Sequence, residues 1–147
     1  MMELHNSLIH IILAVKFIAQ EVDMADKKFV FILNHSFDKP DTAAGALQLA
    51  ANMKAFDTEL DFFLFNEGVM LARKGFAETI TWQKKEGFSP LHELLKTLTE
   101  DFGVNFYICA SCVKAYNLEG AEFIKNASIK PGSFLGQLLM ERQSVSF

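Results

Sequence analysis

The chain has 147 residues, a length that suits one domain with a substantial core. Half of it is apolar, 15 residues are phenylalanine, and the net charge is −4, which argues against nucleic acid as a partner. Cys109 and Cys112 are its only 2 cysteines, which excludes a disulfide-built secreted scaffold and fits a reducing, cytoplasmic setting.

At the start, Leu4, Leu8, Ile11, Ile12, Val15, Ile18 and Val22 recur at helical spacing. The apolar run from Leu8 to Ala19 is broken by His10 and Lys16, so stable membrane insertion is not expected. It also lacks the basic opening of a signal peptide. Two readings stand. The segment is an extra amphipathic helix that packs on the domain or on a partner. Alternatively, Met24-Ala25-Asp26-Lys27-Lys28 before a strand is an ordinary beginning, and the residues before it precede the natural start. The chain therefore divides into an N-terminal helical extension, 1–23, and one α/β domain, 24–147.

Phe29 to Leu33 is a continuous apolar run, as in a strand buried on both faces. Asn34 to Asp41 is a polar loop. Asp41 or Thr42 can cap a helix running to about Phe56. Leu60 to Phe65 is a second buried strand, followed by a turn at Glu67-Gly68 and a short helix from Val69 to Lys74. Phe76 to Trp82 has strand character, and Gln83 to Gly87 is a loop. Ser89-Pro90 predicts a helix start, and Leu91, Leu94, Leu95 and Leu98 form its apolar stripe up to Gly103. Asn105 to Ile108 is the third clear strand. A short helix to Asn117, another over Glu119 to Lys125, and an edge strand over Ala127 to Lys130 follow. Pro131-Gly132 stops that strand, Ser133 caps a helix through Arg142, and Val145 to Phe147 closes the chain as a strand.

Alternating buried strands and helices define a three-layer α/β architecture with a mostly parallel sheet of five or six strands. Ligands of such folds sit beyond the carboxyl ends of the strands. Asn34–Asp41, Phe65–Gly68 and Cys109–Cys112 therefore share one face of the sheet.

Several chemistries are excluded. One Cys-x-x-Cys supplies two of the four ligands that structural zinc needs, and the histidines (His5, His10, His35, His92) stand apart from it. No metal is expected. The first strand–helix loop has no glycine, so neither a phosphate loop nor a dinucleotide fingerprint fits, and no Gly-x-Ser-x-Gly elbow is present. No cofactor is expected.

Cys109-Ala110-Ser111-Cys112 remains. A thiol between a strand end and a helix start meets backbone N–H groups and a dipole that favour thiolate, the reactive form. The alternative is that two small residues fill a strand–helix junction. A thioredoxin-like dithiol fits less well, because its motif follows an early strand, whereas this one follows the third or fourth.

Asn105-Phe106-Tyr107-Ile108-Cys109-Ala110-Ser111-Cys112-Val113-Lys114-Ala115-Tyr116-Asn117-Leu118 resembles the cysteine segment of the DsrE/DsrF-like sulfur-relay family. Phe29 to Met53, and Phe63-Leu64-Phe65-Asn66-Glu67-Gly68-Val69, resemble the strands and loops of the same family. The resemblance covers Lys27 to Phe147. It implies a flavodoxin-like fold, a homo-oligomer (trimer or hexamer), and persulfide transfer at Cys109 with sulfur-donor and acceptor proteins. The resemblance thus implies a sulfur carrier, sulfurtransferase-like in its chemistry. Cys112 stands where the family often has serine, so it is an auxiliary thiol able to resolve a Cys109 persulfide into a disulfide. Asn117 stands where glycine is common, and asparagine tolerates the same left-handed backbone.

Three supporting residues are named. Protonated His35 could reach Cys109 across the strand ends and lower its pKa, although most loop histidines are simply solvated. Lys114 could orient a persulfide anion, or merely be solvated. Glu67 flanks the second strand, where a carboxylate is more often a turn or cap residue. The competing functions are a thiol–disulfide redox or sensor module using the same pair, and a non-catalytic oligomeric binding module with inert cysteines.

Overall fold

The computed structural model describes residues 2–25, 27–82 and 86–147, with side chains at 5–17 in the first segment. Helix α1 spans Met2–Ala25, and β1, Lys28–Leu33, opens the α/β domain. There follow α2, Pro40–Lys54, β2, Glu59–Leu64, α3, Leu91–Lys96, and β3, Phe106–Cys109. The chain ends through α4, Ala110–Ala115, β4, Ala127–Lys130, α5, Gly132–Glu141, and β5, Gln143–Ser146.

The sheet has five strands in the order β4-β3-β2-β1-β5, every neighbouring pair parallel. From β1 to β4 the chain steps in one direction, so right-handed crossovers place α2, α3 and α4 on one face. The return from β4 to β5 carries α5 over the other. The expected three-layer, flavodoxin-like α/β fold is the observed one, with a helix preceding it.

Register builds the core. Phe31 lies beside Phe62, and Phe62 beside Phe106. Their rings form an edge contact at 5.5 Å and a stack at 4.9 Å across three strands. Helix α2 buries Ala43, Ala44, Ala46 and Ala50, small side chains, around one large one, Leu47. On the other face Tyr107 meets Phe134 of α5 at 4.7 Å.

The amino ends of the strands are tied by charge. Arg142 donates through Nη1 to Asp61 Oδ2 at 3.0 Å and to the Phe29 carbonyl at 3.2 Å, and through Nη2 to Glu59 Oε1 at 3.0 Å. The other Asp61 oxygen accepts the Asn105 N–H at 2.8 Å. One guanidinium thus links the approach to β5 with β1 and β2, and through Asp61 with the approach to β3.

Several local expectations are corrected. The predicted turn and helix after β2 merge into one 3₁₀ helix, Asn66–Ala72. Phe76–Trp82 forms no strand. The chain turns at Gly75, a 3₁₀ turn covers Ala77–Thr79, and Phe76 meets Phe37 edge-on while Trp82 packs at a tilt against Phe88, instead of joining a ladder. Glu119–Lys125 is not helical. Gly120 takes a left-handed backbone, and the segment pairs antiparallel with Ala72–Lys74, Ile124 N–H donating to Ala72 O at 2.8 Å. Helix α2 starts at Pro40, whose missing N–H is no loss in a first turn, so neither Asp41 nor Thr42 caps it. Of the loop expected at Gln83–Gly87, residues 83–85 lie outside the described residues.

Candidate functional site

The carboxyl ends of β1, β2 and β3 deliver Asn34, Asn66 and Cys109 to one rim of the sheet. Gly68 brings the first two loops together. Its N–H donates to Asn34 O at 3.2 Å, and a Cβ there would lie 2.2 Å from Leu33 O. Only glycine allows that approach. Asn66 has a left-handed backbone (φ 48°), and its side-chain amide donates to Asn34 Oδ1 at 3.0 Å. Asn34 in turn donates its backbone and side-chain N–H to the Phe147 carbonyl, at 3.0 and 3.1 Å.

The same Asn66 points its backbone N–H at Cys112 Sγ, 3.2 Å away. Cys112 sits on α4, one turn beyond Cys109, so the two thiols are neighbours, both free. They differ in access. Cys109 is only 4 % exposed and belongs to the core, whereas Cys112 is half-buried.

The Cys112 thiol is pushed up, by burial first and then by Cys109; the Asn66 amide pulls the other way, and the Glu67 carboxylate adds to the rise. The site holds a neutral thiol at the mouth and a covered one behind it.

His35 does not join the thiols. Its Nδ1 lies 2.6 Å from Asp38 Oδ2, an ion pair when the ring is protonated. Burial pushes Asp38 up, but the Ser36 N–H and His35 outweigh it, and its carboxyl ends below the usual range. Lys114 is exposed on α4. Glu67 is half-buried, and its carbonyl accepts the hydroxyl of fully buried Ser36 at 2.5 Å, which anchors the loop after β2 to the loop after β1. Cys109 and Cys112 thus share one strand–helix corner with the loop of Glu67 beside it, while His35 pairs with Asp38 and Lys114 faces outward. Sequence reasoning missed the Asn34–Asn66 bridge; its signal was an asparagine at or just past the end of each strand.

Among the described residues, clefts also lie away from this rim. One of about 230 Å³ is lined by Trp82, Phe88, Leu91 and His92, and one of about 410 Å³ by Arg73, Lys96, Thr99 and Phe123. Neither touches a cysteine. Among the described residues no group of three His, Cys, Asp or Glu side chains is placed to hold a metal ion.

A parallel five-stranded sheet with its cysteines at the carboxyl rim places the chain among small three-layer α/β proteins. The model of the DsrE/DsrF-like family matches residues 27–145, and the chain belongs to that family. Among solved structures it is similar to the ychN protein from E. coli, with 19% sequence identity, a TM-score of 0.68, and coverage of 82% of this chain and 99% of that one. No curated protein sequence matches the chain. Family membership supports a general role in sulfur relay. Among the described residues no helix is long and apolar enough to cross a membrane.

Proposed function

We propose that this chain is a cytoplasmic, homo-oligomeric sulfur carrier. It accepts sulfane sulfur as a persulfide on Cys109 and passes it to a partner thiol, with Cys112 as the auxiliary thiol at the mouth. The observation that carries this reading is the placement of both thiols at the β3–α4 corner on the strand ends, with the Asn66 N–H on the outer one. Loading is an exchange without net oxidation. The Cys109 thiolate attacks the outer sulfur of a donor persulfide, the donor S–S bond breaks, and the donor leaves as thiolate. A partner thiolate then attacks the outer sulfur held on Cys109 and restores its thiolate. If Cys112 attacks the inner sulfur instead, a Cys109–Cys112 disulfide forms and hydrosulfide leaves. Because Cys109 is covered, the donor reaches it past Cys112.

Incubation with a sulfane-sulfur donor followed by mass spectrometry tests the assignment. One added sulfur atom is expected, lost in Cys109→Ser and retained in Cys112→Ser. A gain that survives Cys109→Ser refutes it.

The adjacency that supports loading equally favours a second reading, a reversible disulfide between the two cysteines. It predicts loss of two hydrogens under mild oxidation and no stable added sulfur in the wild type. The burial of Cys109 and the raised Cys112 thiol favour a third, an oligomeric binding module with inert cysteines. It predicts slow alkylation of both thiols at neutral pH.

A further inference from the structure

Helix α1 lies before the region that the family model matches. Its described side chains are all exposed, and Leu8, Ile11, Ile12 and Val15 are 46–59% exposed. Those four alone present roughly 350 Å² of apolar surface, the size of the largest patch that a typical monomer carries.

The sequence of α1 carries an unbroken heptad. Leu8, Val15 and Val22 fall at a positions, and Leu4, Ile11 and Ile18 at d positions. Ile12 and Ala19 widen the seam at e. At 3.6 residues per turn these eight residues fill an arc of about 120°, and every polar residue of the helix falls outside it.

We propose that this seam binds second copies of itself, so that α1 helices from at least three chains form a parallel coiled coil. A heptad seam on one chain is present on every chain, and a 3.5-residue period is what lets identical helices interlock. Neither a nor d carries a charge that would select a different partner. Branched residues at d (Ile11, Ile18) disfavour the two-stranded form, which prefers leucine there, and Ile12 and Ala19 at e, beyond His5 at the first e position, call for a third neighbour. A membrane surface is the poorer occupant. The rest of the helix carries one lysine against Glu3, Glu21 and Asp23, where an interfacial helix is rich in Lys and Arg.

Sedimentation and light scattering of the full chain test the proposal. The expected mass is that of three or more chains. Ile11→Asp with Val15→Asp should raise the dissociation concentration at least a hundredfold, while Leu13→Asp with Phe17→Asp, on the back of the helix, leaves it unchanged. Circular dichroism should show the α/β domain melting alike in all three. In a Cys109→Ser, Cys112→Ser background, Val15→Cys should form an interchain disulfide under mild oxidation, and Leu13→Cys should not. A monomeric or dimeric full chain overturns the proposal. So do equal effects of seam and back substitutions, equal cross-linking at both positions, or a monomer that floats with vesicles of phosphatidylcholine and phosphatidylserine.

Discussion

Gly68→Ala isolates the contact on which the candidate site rests. The new methyl would lie 2.2 Å from the Leu33 carbonyl oxygen and 3.0 Å from its carbon. Both are backbone atoms of a strand held between two others, so no rotamer change relieves the clash. Either β1 shifts, or the 3₁₀ helix Asn66–Ala72 lifts and strains the Gly68 N–H bonds to Asn34 O and Phe65 O. Overpacking of this kind costs about 3 kcal/mol, near the upper end of its usual range. For a domain of this size that is a fall in Tm of about 9 °C. Gly45→Ala is the control, because Gly45 lies in α2 with nothing within 4 Å of a Cβ. It should gain about 0.5–1 kcal/mol from helix propensity. Differential scanning calorimetry reads both. The lifted loop also carries the Asn66 N–H away from Cys112, so Gly68→Ala should change the alkylation rate of Cys112 and Gly45→Ala should not. A Gly68→Ala protein that melts within a degree or two of wild type, with unchanged thiol reactivity, refutes the account of how the rim is assembled.

Arg142→Met should lower stability by about 3–5 kcal/mol in urea titration, because it strands the buried Asp61 carboxylate, and adding Asp61→Leu should recover part of the loss. Ser36→Ala leaves the Glu67 carbonyl without its donor and should cost about 1–3 kcal/mol by the same assay. The Cys112 thiol is raised, so its contribution to stability is full below the ordinary thiol range and is lost as pH rises through the folded value; Cys112→Ser should flatten that alkaline decline. Asp38 is lowered, so its contribution is full above the ordinary carboxylate range and is lost as pH falls through the folded value. Asp38→Asn should remove that acid-side loss, read as Tm against pH.

The strands were legible because runs such as Phe29–Leu33 and Leu60–Leu64 are apolar at nearly every position, a pattern few structures other than a doubly covered parallel sheet accept. Helix α5 was legible from its apolar spacing, but Ser133 does not cap it: the helix already begins at Gly132, after Pro131. The segments that differed, Asn66–Ala72, Phe76–Trp82 and Glu119–Lys125, take their shape from partners distant in sequence. Ile124 bonds Ala72 across the fold, and no local periodicity encodes that. At the site, the spacing of Cys109 and Cys112 was visible, but their unequal burial depends on how α4 sits against β3 and the loop after β2. The raised Cys112 thiol was hidden for the same reason, since it comes from burial rather than from the helix start. The sequence places His35 just past β1, within expected reach of the strand ends, but Asp38, three residues on, pairs with its ring.

A sheet in the order β4-β3-β2-β1-β5 does not assemble evenly. The first four strands each settle beside the one just made, whereas β5 can join β1 only after the chain has crossed the whole sheet from its far flank. Loop closure over 113 residues, the separation at which Arg142 meets Phe29, makes that the slowest contact to reward. Strand β5 is short, and all four of its residues are exposed. We expect it to be the last element to dock during folding and the first to exchange its amide hydrogens in the native state, opening as a unit while β1, β2 and β3 stay closed.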